Sequence, residues 1–277
     1  MITHKKKANG FEYIHVKNSV AEAKIALQGA HIFAYTTQED LLWLSETSAF
    51  ASGEAIRGGI PLCWPAFGTN NPQLPQHGFA RTSSFELFHT EETQADTTML
   101  TLRLCDNEQT HLLWDYSFEL MLHITISDTL KLALTTTNKD TKAFTLTQAF
   151  HTYFAISDIK NIRIAGLENK PYLNALTQKQ TVQKGAITFD QEFDAVYQDV
   201  DTSIQLLDKN KIIDIQTQGS ASCVVWNPWI EKCSRMSAMQ VDAYRQFVCI
   251  ESANAYDDFQ TLQPQESHTL SVTFTTL

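Results

Sequence analysis

Apolar and polar residues alternate with a period of two along much of this 277-residue chain. In the clearest case, Phe118 to Ile126, every second residue is apolar and most of the residues between are polar. This alternation puts the apolar side chains on one face of an extended segment, so it predicts a half-buried β-strand. Similar patterns predict strands at Phe11–Val16, Lys24–Leu27, Met99–Leu104, Leu130–Thr136, Phe144–Phe150, Ile162–Ile164, Ile212–Ile215, Cys223–Trp226, Phe247–Ile250 and Leu270–Phe274.

Helical periodicity is weak by comparison. The best short candidate, Glu231–Met239, lacks a convincing capped apolar face. Many strands in close succession without intervening helices predict an all-β, antiparallel sandwich or barrel. No internal repeat and no Gly-, Ser- or Pro-rich linker divides the chain, so residues 1–277 are predicted to form a single domain. Two aromatic stretches, Arg57–Arg81 and Asn227–Asp242, are too long for hairpin turns, and such loops on a rigid β scaffold often carry functional residues.

The charge balance narrows the choice of partner. Lys and Arg number 21 against 31 Asp and Glu, a formal net charge of −10, whose long-range field disfavours nucleic acid and anionic membranes as main partners. No apolar segment is long enough for a bilayer span, and the five cysteines form no CxxC pair. We therefore expect a cytoplasmic protein whose ligand, if anionic, binds in a local basic pocket.

The usual cofactor and nucleophile motifs are absent, because the chain has no GxGxxG after a strand, GxxxxGK[ST], GxSxG or HExxH. The histidines show no ligand-like spacing, and no acidic cluster resembles a calcium cage. The sequence therefore predicts neither a catalytic metal nor an organic cofactor.

Basic and polar residues cluster in the first long loop. Arg57 precedes a Gly pair and Arg81 follows a His-Gly step, so two guanidinium groups could converge on a phosphate. Ordinary surface ion pairs are the alternative for both. Gln76 and His77 lie in the same loop, where the histidine could face a ligand or stabilise a turn.

Two titratable residues end apolar strands. His151 is flanked by aromatic residues, so we expect it to be half-buried, as an acid/base group or as a satisfied core histidine. Glu251 ends the run Phe247–Ile250, where a carboxylate is costly to bury unless it is paired or used, although the strand could instead emerge into water there. Cys249, two residues earlier, is either a nucleophile or a small buried hydrophobe.

Two further residues could contact a sugar. Asp194 could hold a hydroxyl group or simply end a turn. Trp226 or Trp229 could stack on the apolar face of a sugar ring, although large aromatics in β proteins are more often core residues.

Five motifs occur in an order that resembles the aldose 1-epimerase superfamily, and within it the hexose-6-phosphate mutarotases more than the galactose mutarotases. They are RGGIPLCWPAFG (57–68), QHGFAR (76–81), FHTYF (150–154), FDAVY (193–197) and VVWNPW (224–229). The resemblance covers most of the chain. It implies a large antiparallel β-supersandwich of the galactose mutarotase-like type that interconverts the α and β anomers of glucose 6-phosphate or a related hexose phosphate.

The resemblance also implies roles for the candidate residues. His151 looks like the general acid and Glu251 the general base, and Arg57 and Arg81 look like a phosphate clamp. The expected contacts to the substrate include His77, Asp194, Gln76 and Trp226. Members of the family typically have Pro after the base, where this chain has Ser252, which makes the local backbone less predictable.

Three alternatives stay open from the sequence. The first is an aldose 1-epimerase that acts on unphosphorylated sugar, the second is a noncatalytic carbohydrate-binding protein, and the third is a β-sandwich that interacts with no sugar. The expected partner is a small sugar phosphate, and we expect a monomer, although no feature of the sequence fixes the oligomeric state.

Overall fold

The computed structural model describes residues 1–69, 71–201, 203–209 and 211–277. Its strands are β1 (Ile2–Lys6), β2 (Glu12–Lys17), β3 (Glu22–Ala26), β4 (Ile32–Thr36), β5 (Leu62–Cys63), β6 (Glu86–Gln94), β7 (Thr97–Cys105), β8 (Phe118–Ile126), β9 (Thr129–Asn138), β10 (Phe144–Leu146), β11 (Gln148–Phe150), β12 (Tyr153–Ala155), β13 (Arg163–Ala165), β14 (Pro171–Asn174), β15 (Lys179–Val182), β16 (Phe193–Tyr197), β17 (Ile204–Asp208), β18 (Lys211–Gln218), β19 (Ser222–Asn227), β20 (Phe247–Asn254), β21 (Gln260–Leu262) and β22 (Ser267–Thr276). Two short helices, α1 (Glu108–Leu113) and α2 (Trp229–Cys233), and 3₁₀ turns at Ala80–Thr82, Ala243–Arg245 and Tyr256–Asp258 complete the described elements.

Two eight-stranded antiparallel sheets dominate the architecture. The first, here called the front sheet, has the order β15-β14-β16-β19-β20-β11-β5, with β12 also paired to β20. The second, the back sheet, has the order β13-β17-β18-β22-β9-β8-β7-β6. A four-stranded meander of β1 to β4 and a β10-β21 pair complete the described sheets. The prediction of an all-β antiparallel protein is confirmed. Among the described residues, no helix has the length and apolarity needed to span a membrane.

The core lies between the front and back sheets. In β8, Leu120, Leu122 and Ile124 are buried while His123 between them is exposed, as the alternation predicts. These residues belong to the same hydrophobic cluster as Val225 of β19 and other front-sheet residues. Each sheet therefore buries one face against the other, and the opposite face of the front sheet is left for other uses.

This packing predicts a large effect from one core substitution. Leu122→Ala is expected to lower the free energy of unfolding by about 2–5 kcal/mol, because it removes a fully buried side chain and leaves a cavity between the sheets. The neighbouring Met121 points to the other side of β8 and is only partly buried, so Met121→Ala is the matched control. Denaturant unfolding of both variants checks the prediction, and equal losses would contradict this assignment of faces.

Some predicted boundaries were wrong. The run Phe144–Phe150 forms two strands in different sheets, because Thr147 interrupts it: its N–H donates to Pro65 O at 3.0 Å and its hydroxyl accepts from the Phe67 N–H at 2.7 Å. The helix considered at Glu231–Met239 is instead α2, which begins at Trp229 and ends at Cys233.

Another helix was not predicted at all. Helix α1 begins after Asn107, whose side chain accepts from the N–H groups of Gln109 and Thr110 in a capping box. The two long predicted loops also contain structure. Residues 57–81 include β5 and part of a 3₁₀ turn, with position 70 outside the described residues, and residues 227–242 include α2.

Candidate active site

The register of the front sheet brings distant residues into one row on its outer face. Asp194 pairs with Trp226, Trp226 pairs with Cys249, and Cys249 pairs with Tyr153, so these four side chains project from the same face. Glu251 lies two residues beyond Cys249 on β20 and therefore shares that face. Two carboxylates, a thiol and two aromatic rings from four strands thus meet on the side of the sheet that faces away from the core.

A cavity of about 340 Å³ lies over this face. All of the residues singled out from the sequence as catalytic or substrate-binding line it: Arg57, Gln76, His77, Arg81, His151, Asp194, Trp226 and Glu251. Trp226 is buried among neighbouring aromatics at the cavity wall, whereas Trp229 packs against Tyr244, with ring centroids 5.3 Å apart, outside the lining. The structure therefore brings the candidate residues together from six separate parts of the chain.

His151 and Glu251 form the most buried polar pair of the cavity. The Nε2 of His151 lies 3.4 Å from Oε1 of Glu251, and the residues are 9% and 2% exposed. His151 is therefore more buried than predicted, and the alternative in which the strand emerges into water at Glu251 is wrong. Strand β20 continues to Asn254 and is paired on both sides, so the chain passes through Ser252 without leaving the sheet.

Burial controls the protonation of this pair. Loss of water raises the pKa of Glu251 well above 4.5, with a further contribution from the negative charge of Asp194. Burial also lowers the pKa of His151 well below 6.5, helped by His77 and by the positive charges of Arg81 and Arg57. Both shifts favour the neutral form of each group, in which the carboxyl group holds the one proton that the pair can exchange. Among the described residues, His151 Nδ1 and Glu251 Oε2 are buried without a hydrogen-bond partner.

The ring of His77 is held in one tautomer. Its Nδ1 accepts from the N–H of Gly68 at 3.2 Å and lies 3.2 Å from the Cys63 sulfur. Burial and the nearby charges of Arg81 and Arg57 lower its pKa to about 3, so the ring is neutral at pH 7. Because Nδ1 accepts from a backbone N–H, which can only donate, the neutral ring carries its proton on Nε2, and the Gln76 amide 3.5 Å away must then turn its oxygen towards the ring. His77 can therefore donate a hydrogen bond to a ligand.

Neither Arg57 nor Arg81 forms an ion pair with a carboxylate among the described residues. Arg57 donates from Nη1 to the Tyr153 hydroxyl at 3.4 Å, and Arg81 donates from Nη2 to the carbonyl of Gln76 at 2.6 Å. Within the described part of the chain, no carboxylate oxygen lies within 4.0 Å of either guanidinium group, which sets them apart from arginines such as Arg103. The surface ion pairs considered as the alternative are absent, and the cavity can accept an anion.

Two glycines fix the loops that carry these groups. Gly58 follows Arg57 at φ +101°, and a Cβ there would come within 2.5 Å of the Trp43 carbonyl oxygen. Gly78 follows His77 at φ +69°, and a Cβ there would come within 2.1 Å of the Trp64 carbonyl oxygen. A residue with a Cβ would not fit the left-handed backbone and the nearby carbonyl oxygen at the same time. Glycine therefore lets the two loops lie directly against Trp43 and Trp64.

Asp194 and Lys232 form another part of the cavity wall. Lys232 Nζ lies 2.8 Å from Oε1 of Glu192 and 3.9 Å from Oδ2 of Asp194. Partial burial raises the pKa of Asp194 to about 6. The charge of Lys232 acts to lower this pKa, and the charge of Glu192 acts to raise it. Sequence reasoning missed Lys232 and Tyr153. Both lie in segments that it had marked, the loop 227–242 and the motif FHTYF, but neither carries a distinctive signal of its own.

Cys249 is not a nucleophile of the usual kind. Its side chain is fully buried, and burial together with the charge of Glu251 raises the pKa of its thiol well above 9. The thiolate that nucleophilic attack requires is therefore scarce at neutral pH, and the alternative of a small buried hydrophobe is the better description.

A larger and more open cavity of about 1150 Å³ lies elsewhere, beside Asp40, Asp208 and Lys211. The buried carboxylate of Asp208 already accepts from the N–H of Ser157 at 2.6 Å and from the Ser157 hydroxyl. Since none of the candidate residues lines it, this cavity offers no equivalent acid/base pair.

Comparison with known proteins identifies the family. The family model described as aldose 1-epimerase matches residues 12–275. The chain belongs to the aldose 1-epimerase family. A protein of Escherichia coli K12, provisionally described as a glucose-6-phosphate 1-epimerase, is 33% identical over 273 residues, which cover 96% of this chain and 91% of that protein.

Solved structures in the family show the same fold. The crystal structure of a protein provisionally described as a mutarotase, from Salmonella typhimurium, superposes with a TM-score of 0.92 at 29% identity, covering 99% of this chain and 93% of that one. A galactose mutarotase related enzyme of Lactobacillus acidophilus gives a TM-score of 0.75 at 16% identity, covering 96% and 97%. The resemblance indicated by the five motifs and the galactose mutarotase-like β-supersandwich are thereby confirmed.

Proposed function

We propose that this chain interconverts the α and β anomers of glucose 6-phosphate, or of a closely related hexose 6-phosphate. The buried pair of His151 and Glu251 carries this proposal, because it places a proton acceptor and a proton donor 3.4 Å apart in a cavity lined by two guanidinium groups. Family membership and the relative in Escherichia coli support the same reaction class.

The single proton of the pair suits this chemistry. Ring opening requires a base to take the proton of the C1 hydroxyl while an acid protonates the ring oxygen. Transfer of the shared proton from Glu251 to His151 produces the required carboxylate and imidazolium without exchange with solvent. After rotation about the C1–C2 bond the same two groups act in reverse, and the ring closes on the other face. The net reaction consumes no proton.

The other residues hold the substrate in place. We propose that Arg57 and Arg81 bind the phosphate, because their charge is not neutralised by the protein and guanidinium groups bind phosphate with paired N–H donors. His77 donates from Nε2 to a sugar oxygen, and Asp194 accepts from a hydroxyl group. Trp226 contributes apolar wall area beside the sugar, with Gln76 at the exposed rim.

Charge removal at the clamp should separate the two epimerase hypotheses. Arg81→Gln is expected to lower kcat/KM for glucose 6-phosphate by about 10- to 100-fold, since charged hydrogen bonds contribute about 1.5–3 kcal/mol. The rate with glucose should change little. Arg163→Gln removes an exposed arginine from β13 of the back sheet and is the matched control. Measurement of anomer exchange with both sugars checks this, and an equal loss with both would contradict the phosphate role.

Arg81 also holds the Gln76 carbonyl, so a structural effect must be separated from a loss of charge. Arg81→Lys keeps the charge and one donor and should recover part of the preference for the phosphorylated sugar. A wild-type protein that exchanges glucose as fast as glucose 6-phosphate would favour the unphosphorylated aldose instead. Sugar binding without any acceleration would favour a noncatalytic carbohydrate-binding protein.

We also propose that the protein works in the cytoplasm as a monomer and that residues 1–277 form a single domain. All five cysteines are free, and four of them are buried, which supports a reducing compartment.

A further inference from the structure

Cys249 adds a third metal-binding atom to the acid/base pair. One donor atom each from His151, Cys249 and Glu251 lies within 4.8 Å of the other two, and all three residues are buried. Cys249 projects from the same face of β20 as Glu251, between Trp226 and Tyr153 in the row across the front sheet. The proposed reaction gives the thiol no part, although it lies beside both catalytic groups.

The donor set fits a particular class of cation. An imidazole nitrogen, a thiolate and a carboxylate oxygen are the ligands that Zn²⁺ takes in proteins, at about 2.0–2.3 Å, so donors in a tetrahedral shell lie roughly 3.3–3.8 Å apart. His151 Nε2 and Glu251 Oε1 are already 3.4 Å apart, within that range. The remaining separations are at most 4.8 Å, so the three groups would have to approach one another by about 1 Å or less to complete three corners of such a shell.

The surroundings both favour and oppose a cation. The second carboxylate oxygen, Glu251 Oε2, is buried without a hydrogen-bond partner, so an ion that binds both oxygens of this carboxylate would satisfy it as well. Asp194 lies near enough to shift the pKa of Glu251 and adds negative charge. Arg57 and Arg81 line the same cavity and act against it. A thiolate ligand is what would let a soft ion bind here while a hard ion such as Mg²⁺ does not.

We propose that His151, Cys249 and Glu251 form an inhibitory site for a thiophilic divalent cation such as Zn²⁺ or Cd²⁺. Binding at the site does not depend on the proposed function, whereas inhibition of anomer exchange rests on it. The bound ion would occupy the groups that exchange protons with the sugar. The prediction that catalysis uses no metal is kept, because this ion blocks the reaction.

Cation binding releases protons. Ligation needs Cys249 as thiolate and Glu251 as carboxylate, so one proton leaves the thiol and the shared proton leaves the pair, both to solvent.

Direct binding is tested with Cd²⁺ alone, by its ultraviolet thiolate-to-cadmium charge-transfer absorption. The wild type should develop this band with one equivalent of Cd²⁺, and both Cys249→Ser and Glu251→Gln should lose it. Cys63→Ser and Cys105→Ser are the controls and should keep it, because Cys63 lies beside His77 and Cys105 is exposed on the back sheet. Absence of the band in the wild type, or its persistence in folded Cys249→Ser, would overturn the proposal. Cys249→Ala gives a second test should the serine variant not fold.

Inhibition is measured separately, as the Zn²⁺ concentration that halves each variant's own metal-free exchange rate. Cys249→Ser should need at least about ten times more Zn²⁺ than the wild type, and a chelator should restore the wild-type rate. Equal sensitivity of the two proteins would overturn the inhibitory role. If the wild type shows the cadmium band but no exchange activity without metal, the metal site would be supported. The proposed function would then be contradicted.

Discussion

Glu251→Gln is expected to lower kcat for anomer exchange of glucose 6-phosphate by about 10²- to 10⁴-fold, with little change in KM. The amide keeps the size of the side chain but cannot take the proton of the C1 hydroxyl. Glu251 is 2% exposed in the middle of β20, so the isosteric change should preserve its position. Magnetisation-transfer NMR at saturating substrate gives kcat directly.

A matched control comes from the residue just before strand β16. Glu192, beside the cavity wall, is held by Lys232 at 2.8 Å and takes no part in the proposed chemistry. Glu192→Gln should change kcat by much less than tenfold. Comparable losses in the two variants would mean that negative charge near the cavity matters and that Glu251 is not the base.

His151→Asn is the second substitution expected to cost about 10²- to 10⁴-fold in kcat. Asparagine can still donate a hydrogen bond, but it cannot give a proton to the ring oxygen. It also leaves Tyr153 without the stacked imidazole that lies 4.9 Å away at 9°, so thermal unfolding must show that the variant is folded. The exchange rate at saturating glucose 6-phosphate is again the measured quantity.

The pH profile of kcat separates an acid from a merely structural histidine. Because burial lowers the pKa of His151, a second proton joins the pair only as pH falls well below 6.5, and the wild-type rate should drop there. Because burial raises the pKa of Glu251, the shared proton is lost only well above pH 4.5, and the rate should fall on that alkaline side. The acidic limb should be missing in His151→Asn. If His151→Asn kept the acidic fall in rate unchanged, a group other than His151 would be responsible for it.

The sequence was sufficient for the class of fold but not for the register of the sheets. Period-two alternation identified strands such as Phe118–Ile126 because one face is buried and the other is not. The row from Asp194 through Trp226 and Cys249 to Tyr153 depends on pairing between segments up to about a hundred residues apart along the chain. Local pattern does not encode such partners, so proximity of these groups could be inferred only through the family resemblance.

Burial of the candidate site was also underestimated. A strand that ends in Glu251 looks like one that reaches water, yet β20 runs on through Ser252 to Asn254 at the centre of the front sheet. Lys232 escaped notice because a lysine in a loop is ordinary, and only the fold places it 3.9 Å from Asp194. The motifs were reliable where glycine geometry is unusual, as at Gly58 and Gly78, since few residues can replace glycine there.

The most direct test of the account is the rate of α to β exchange of glucose 6-phosphate with wild-type protein, measured by magnetisation-transfer NMR without added metal. The account predicts a rate that increases in proportion to protein concentration, far exceeds the rate in buffer, and exceeds that with glucose under the same conditions. A rate equal to that in buffer at every protein concentration would contradict it.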